Sequence, residues 1–290
     1  MDNFKDILLN TTLILLLTVL PLFTFSQNSI QTTSDKIETQ PQQPSYDNNQ
    51  QAGKYYSVRG IKMYCEIYGE GAPLLLIHKN GGNIKSFDMQ IPYFSKKYKV
   101  IIPDSRAQGR SQDQGDSLSY DMMADDFAEL LNQLDVDSAN VIGWSDGGIN
   151  GLLLAIRHPE KVKMLAVTGA NITPDTTAIF PNDLNGMWNT VNALKDKNDK
   201  TDREKSDYKL SKLMCDLPNI PLEDLQKIAV PTMVIAGDHD MIRLNHTILI
   251  HDNIKRSFLW ILPDSGHATL REYPDEFNQK VDNFFIKNHN

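Results

Sequence analysis

Short apolar runs punctuate the chain from Leu74 onward, at a spacing that leaves room for a helix between most of them. Leu74-Leu75-Leu76-Ile77, Val100-Ile101-Ile102, Val141-Ile142, Met164-Leu165-Ala166-Val167, Met233-Val234-Ile235 and Phe258-Leu259-Trp260-Ile261 are continuous rather than alternating. Such runs are expected of strands buried on both faces of a sheet. Between them, Met122, Phe127, Leu130, Leu131 and Leu134 recur at helical spacing, as do Phe277, Val281, Phe284 and Phe285 after Pro274. This alternation predicts an α/β protein whose mostly parallel central sheet carries crossover helices on both faces. Ahead of the first buried run, the chain from Tyr55 reads as a hairpin turning at Arg59-Gly60, with a second strand, Ile61 to Tyr68, that stops at Gly69-Glu70-Gly71.

The rhythm breaks in two places. From Asn171 to about Asp224 the apolar density falls, Lys195 to Lys205 is highly charged, and no strand pattern returns before Pro231. A helical lid inserted over about 171–224 is expected there. At the N-terminus, Leu13 to Phe25 is nearly all apolar, too short to span a bilayer comfortably, and runs into Thr24-Phe25-Ser26-Gln27 with small residues placed for cleavage before Gln27. Residues 1–26 therefore read as a signal peptide of a secreted or periplasmic protein. Because Asp2 and Asp6 offset Lys5, the alternative is an uncleaved anchor that tethers the folded part to a membrane outside the cytoplasm. Residues 27–53, rich in Gln, Asn, Ser, Thr and Pro, lack the apolar side chains to offset the entropy of ordering, which predicts a disordered linker and a folded domain over 54–290.

Composition narrows the partners. The 290 residues are 40% hydrophobic and 23% charged, enough for one substantial core, and the net charge of −8 comes without any separate block of Lys or Arg. Nucleic acid and an anionic membrane surface are thus unexpected partners, and a small molecule is favoured. The two cysteines, Cys65 in an expected strand and Cys215 in the expected insertion, demand no disulfide and read as packed or free thiols. His239, His246 and His251 match no metal-ligand spacing and read as surface histidines, so no metal is expected.

The candidate chemistry centres on Gly143-Trp144-Ser145-Asp146-Gly147. It follows the apolar Val141-Ile142 and leads into the mostly apolar Ile149 to Ile156, a strand, sharp turn and helix in sequence. Such a turn is a nucleophile elbow, in which flanking glycines remove side chains that would clash and leave the serine oxygen proud of the sheet. Ser145 is the candidate nucleophile. A serine hydroxyl needs a base and a group to orient that base. Gly237-Asp238-His239-Asp240 and Gly266-His267 each follow a strand, at the end where ligands bind in parallel sheets. His267 is the candidate base; spacing alone leaves Asp238 and Asp240 as rivals for the acid. For the oxyanion, the backbone N–H of Asp146 is one candidate donor, and the loop His78-Lys79-Asn80-Gly81-Gly82 offers Asn80 as the second.

Together with Asp104-Ser105-Arg106-Ala107-Gln108-Gly109-Arg110-Ser111, these motifs resemble the α/β-hydrolase superfamily over nearly all of Tyr55 to Lys287. Gly143 to Ile149, Gly169-Ala170-Asn171 and Asp275-Glu276-Phe277-Asn278 resemble its valacyclovir hydrolase group. The resemblance implies the α/β-hydrolase fold, a Ser145, His267, Asp240 triad and no cofactor. It also implies that Asp146 binds the α-ammonium of aminoacyl esters, although an acid in the first turn of a helix is favoured by the dipole without any substrate. Trp144 and Asp146 are the candidate substrate contacts. Two positions depart from the superfamily pattern: Lys79 stands where glycine usually follows the loop histidine, and Gln108 replaces a usual histidine. The function expected is hydrolysis of a small carboxylic ester or related acyl bond through an acyl-enzyme. The alternatives are a hydrolase-fold small-molecule receptor, or peptidase, lactonase or C–C bond hydrolase activity on the same fold.

Overall fold

The apolar runs pair into one sheet in a computed structural model that describes residues 45–288. Its strands are β1 (Gly53–Val58), β2 (Ile61–Tyr68), β3 (Ala72–Ile77), β4 (Tyr98–Pro103), β5 (Ala139–Trp144), β6 (Val162–Thr168), β7 (Thr232–Gly237) and β8 (Ser257–Leu262). They lie in the order β1-β2-β4-β3-β5-β6-β7-β8. The β1–β2 and β2–β4 pairs are antiparallel, and the five from β4 to β8 are parallel. The helices are α1 (Ile91–Phe94), α2 (Tyr120–Gln133), α3 (Asp146–Arg157), α4 (Pro181–Lys195), α5 (Asp202–Asp216), α6 (Leu222–Leu225), α7 (Leu244–Asp252), α8 (Thr269–Glu272) and α9 (Pro274–Lys287).

Why the strand runs are continuous is visible in the packing. Leu75, Ile77, Val141 and Leu165 face Phe127, Leu130 and Leu131 of α2 and Leu152 and Leu154 of α3. Their neighbours Leu74, Leu76, Ile142 and Met164 point the other way, into Phe87, Phe94, Phe277 and Phe285. Because successive strand side chains alternate faces, both faces must be apolar when both are covered. Each fully buried Leu or Phe contributes roughly 1.5–3 kcal/mol. The last strand departs from this expectation: Phe258 and Leu259 are 43% and 39% exposed. β8 forms the rim of the sheet, where among the described residues nothing pairs beyond it and cover is partial.

Between β6 and β7 the chain leaves the sheet to form α4, α5 and α6. This excursion is thinly packed. α4 buries only Val191, and α5 buries Leu210, Ser211, Leu213 and Cys215. A capping box of Thr201 and Glu204 starts α5, satisfying backbone donors that the helix cannot. Lys209 on α5 donates to Asp113 Oδ2 at 3.1 Å and Gly115 O at 2.7 Å, and the half-hidden Asp113 also accepts from Arg106 at 3.0 Å. Cys65 and Cys215 are both buried free thiols.

Residues 45–52, expected as linker, are instead tied to the body. The reason is Glu66, a fully buried acid on β2. It accepts from the backbone N–H groups of Asp47 (3.1 Å) and Asn49 (2.9 Å) and from the hydroxyls of Tyr64 (2.9 Å) and Tyr68 (2.6 Å). A buried acid requires such donors, and polar backbone from the preceding segment supplies two of them. Residues 1–26 and most of the expected linker lie outside the described residues. Among the described residues, no helix is long and apolar enough to cross a membrane.

Candidate active site

Ser145 sits where β5 reverses into α3, with φ 57° and ψ −119°. A non-glycine residue rarely adopts a positive φ, so the surroundings must enforce it. Ser145 N donates to Thr168 O at 2.8 Å, holding the turn to the end of β6. At Gly147, an added Cβ would fall 1.9 Å from Ile77 O, so only glycine allows α3 to start this close to β3. The Asp146 N–H, first in α3, has no acceptor within the helix and is free to donate outward.

His267 reaches this serine from the loop after β8. Its Nε2 lies 2.9 Å from Ser145 Oγ, and its Nδ1 lies 2.7 Å from Asp240 Oδ1. The carboxylate beside Nδ1 favours the tautomer with the proton there, leaving a lone pair on Nε2 toward the hydroxyl. Asp240 is buried, and its Oδ1 also accepts from Ile242 N at 2.9 Å, which fixes the oxygen that faces the ring. Geometry also separates the rival acids: Asp238 engages the exposed His239 at 2.7 Å and Ser265 N at 3.2 Å, not His267. Gly169 passes under the imidazole with φ +65°, where a Cβ would lie 2.7 Å from His267 Cε1. The sequence marked Gly169 only as part of the segment Gly169-Ala170-Asn171; its place under the imidazole was not readable there.

Around these groups lies a cavity of about 200 Å³, walled by Lys79, Asn80, Tyr120 and Asp146 together with Ile179, Met187, Met214 and Leu217. The fold therefore brings Ser145, His267, Asp240, Asn80 and Asp146 together. Trp144, expected as a substrate contact, is not on this wall. It is buried, and its Nε1 donates to His267 O at 2.8 Å, so the indole braces the histidine. Tyr120, Leu217 and Met241 were not singled out in the sequence, since only the fold brings these distant positions to one cavity. A larger cleft of about 480 Å³ lies between residues 107–116 and the start of α5 and does not include Ser145.

Asp146 is buried, and its Oδ2 accepts from Asn80 Nδ2 at 2.7 Å. Burial pushes its pKa up to about 6 despite the favourable Asn80 contact. The buried Tyr120 hydroxyl faces the same carboxylate without completing a hydrogen bond. The loop that carries Asn80 is pinned from below. His78 is buried; its Nδ1 lies 2.7 Å from Lys79 O and its Nε2 accepts from Ser105 N at 2.9 Å, a pattern that requires the neutral ring. Burial accordingly lowers its pKa to about 4. Gln108, the second departure from the superfamily pattern, accepts from Gly81 N at 2.7 Å and so clamps the same loop.

His246, read as a surface residue, is buried and accepts from Ile172 N at 3.0 Å, with its pKa lowered to about 4 by burial. It lies on the inward face of α7, a helix too short for its pattern to reveal that face. Among the described residues, no group of three or more His, Cys, Asp or Glu side chains is arranged to hold a metal ion.

The comparison with known proteins agrees with this architecture. The family model described as "alpha/beta hydrolase fold" matches residues 72–203. The chain is 26% identical to the serine hydrolase BPHL of Homo sapiens over 250 residues, covering 79% of this chain and 84% of that protein. It is 28% identical to a pimeloyl-[acyl-carrier protein] methyl ester esterase of Legionella pneumophila, covering 77% and 99%. A solved meta-cleavage product hydrolase from Pseudomonas fluorescens superposes with a TM-score of 0.67 at 25% identity, covering 81% of this chain and 98% of that one. The chain has the α/β-hydrolase fold, and it is an enzyme of that fold.

Proposed function

We propose that the protein is a serine hydrolase that cleaves a small carboxylic ester or related acyl bond through an acyl-enzyme. The observation that carries this is the relay from Ser145 Oγ to His267 Nε2 at 2.9 Å and from His267 Nδ1 to Asp240 Oδ1 at 2.7 Å. As Ser145 attacks the carbonyl carbon, His267 takes the hydroxyl proton, and Asp240 stabilises the resulting imidazolium. The tetrahedral oxyanion is held by the backbone N–H groups of Asp146 and Asn80, donors of the kind that contribute about 2.7–4 kcal/mol each to the transition state. His267 then returns the proton to the leaving group. Water, activated by the same histidine, attacks the acyl-enzyme, releases the acid and restores Ser145.

Within this reading, Asp146 accepts the ammonium of an aminoacyl ester. Its support is a buried carboxylate on the cavity wall whose hydrogen-bond partner is the neutral Asn80 amide, beside the resemblance to the valacyclovir hydrolase group. A charge so placed gains more from a cation than it would in water. In the same proposal, α4 and α5 form a lid over the cavity, and residues 1–26 direct export or membrane anchoring.

The test is turnover of p-nitrophenyl acetate and butyrate. Multiple turnovers that vanish in Ser145→Ala support the reading. A single burst without turnover favours a hydrolase-fold receptor instead.

A further inference from the structure

At the residue after His78, where the superfamily pattern has glycine, this chain places a cation on the cavity wall. Lys79 is partly exposed, and its immediate partners are both neutral. Its Nζ lies 5.7 Å from the centroid of the Trp144 ring and 3.4 Å from Asn80 O, the latter a long hydrogen bond. An ammonium carries three donors, so most of its bonding capacity remains for an incoming group. Trp144 cannot give way beneath it, because that indole is buried and tied to His267 O at 2.8 Å. The cation is therefore held on a fixed platform beside the reacting serine and histidine. Asp146 feels this charge, which favours its ionised form, but its hydrogen bond goes to Asn80 and not to Lys79.

We propose that Lys79 binds a carboxylate carried by the substrate, so that the enzyme prefers acyl compounds bearing a free carboxylate over their neutral isosteres. This rests on the serine hydrolase reading above and names its substrate class. A partly desolvated ammonium with neutral partners gains a charge-assisted hydrogen bond from such a group, at a point where solvent screens it less than at the open surface. The cavity of about 200 Å³ limits the substrate to a short chain. A carboxylate on the acyl part and one on the leaving group offer the same chemistry to Lys79, and a substrate with an ammonium as well would engage Asp146 in addition.

The experiment compares wild type, Lys79→Met and Lys79→Arg on two ester pairs. In the acyl arm, p-nitrophenyl hydrogen glutarate is set against p-nitrophenyl pentanoate. In the leaving-group arm, 4-acetoxybenzoate is set against phenyl acetate. The quantity read is the ratio of kcat/KM for the anionic ester to that for the neutral one, which cancels any general loss in a variant. We expect Lys79→Met to lower this ratio about tenfold in one arm, and Lys79→Arg to retain most of it. The arm that responds locates the carboxylate. A ratio unchanged in both arms overturns the proposal. If wild type turns over no ester, the serine hydrolase reading has failed, and the Lys79 site is then tested by calorimetry on the Ser145→Ala protein. Tighter binding of monomethyl glutarate than of dimethyl glutarate, abolished by adding Lys79→Met, upholds the anion site; equal binding rejects it.

Discussion

The strand-end rim and the helical insertion are built to different standards. Every residue of β5 is buried, α3 buries all but its last two positions, and Asp240 and His267 are fixed by hydrogen bonds of 2.7–2.9 Å. α4, by contrast, buries a single side chain along its whole length, and Trp188 upon it is 37% exposed. The reacting groups thus ride on close-packed sheet, while Met187, which shapes the cavity, rides on α4 with little to hold it, and Met214 rides on the partly buried α5. Chemistry demands positions fixed to a fraction of an ångström, whereas substrate choice tolerates repacking, and pliant methionines suit the second task.

Ser145→Ala gives the sharpest break in this contrast. Loss of the nucleophile should reduce kcat by at least about 10⁴-fold, with the thermal unfolding midpoint little changed. Gly147→Ala attacks the rim itself. Its new methyl would lie 1.9 Å from Ile77 O, so the elbow must open. We expect about 3 kcal/mol of lost stability in denaturant titrations, together with loss of activity.

Asp146→Asn probes a charge within the rim. Folding raises the pKa of Asp146 from 3.8 to about 6, so the folded state binds this proton more tightly than the unfolded chain does. The sign follows: ionised Asp146 opposes folding above that pH, and its penalty fades as pH falls from about 6 to about 4. Asp146→Asn should therefore stabilise the protein by up to about 3 kcal/mol at pH 7.5, with the gain mostly gone near pH 4, as read from urea midpoints at both pH values. The same variant decides the ammonium reading. Equal losses of kcat/KM for aminoacyl and plain acyl esters would remove it. At the soft end, Met187→Ala should alter stability by less than about 0.5 kcal/mol yet shift the preferred ester chain length, visible as KM changes of a few-fold across a series. A stability loss as large as that of Gly147→Ala would erase the distinction between the two regions.

What could be read in advance follows the same division. The elbow and the loops holding Asp240 and His267 were legible because their chemistry needs particular residues at short spacings next to buried strands. The choice of Asp240 over Asp238 needed either family resemblance or coordinates, since both acids share one loop. The exposure of Phe258 and Leu259 was hidden, because an apolar run does not say which strand ends a sheet. The inward face of His246 and the indole brace at Trp144 depend on partners at Ile172 and His267, far away in sequence. The tie between Glu66 and residues 47–49 was masked by a composition typical of linkers, although the acid itself lies in a mostly apolar strand.

That last tie bears on where an independent fragment can begin. A polypeptide trimmed to start at Gly53 would retain all eight strands yet deprive Glu66 of two amide donors, leaving the two tyrosine hydroxyls. A buried acid left short of donors is costly, by about 1–3 kcal/mol or more. Proteolytic nicking between Asn49 and Gly53 should accordingly loosen the outer hairpin while the elbow at the centre keeps its shape.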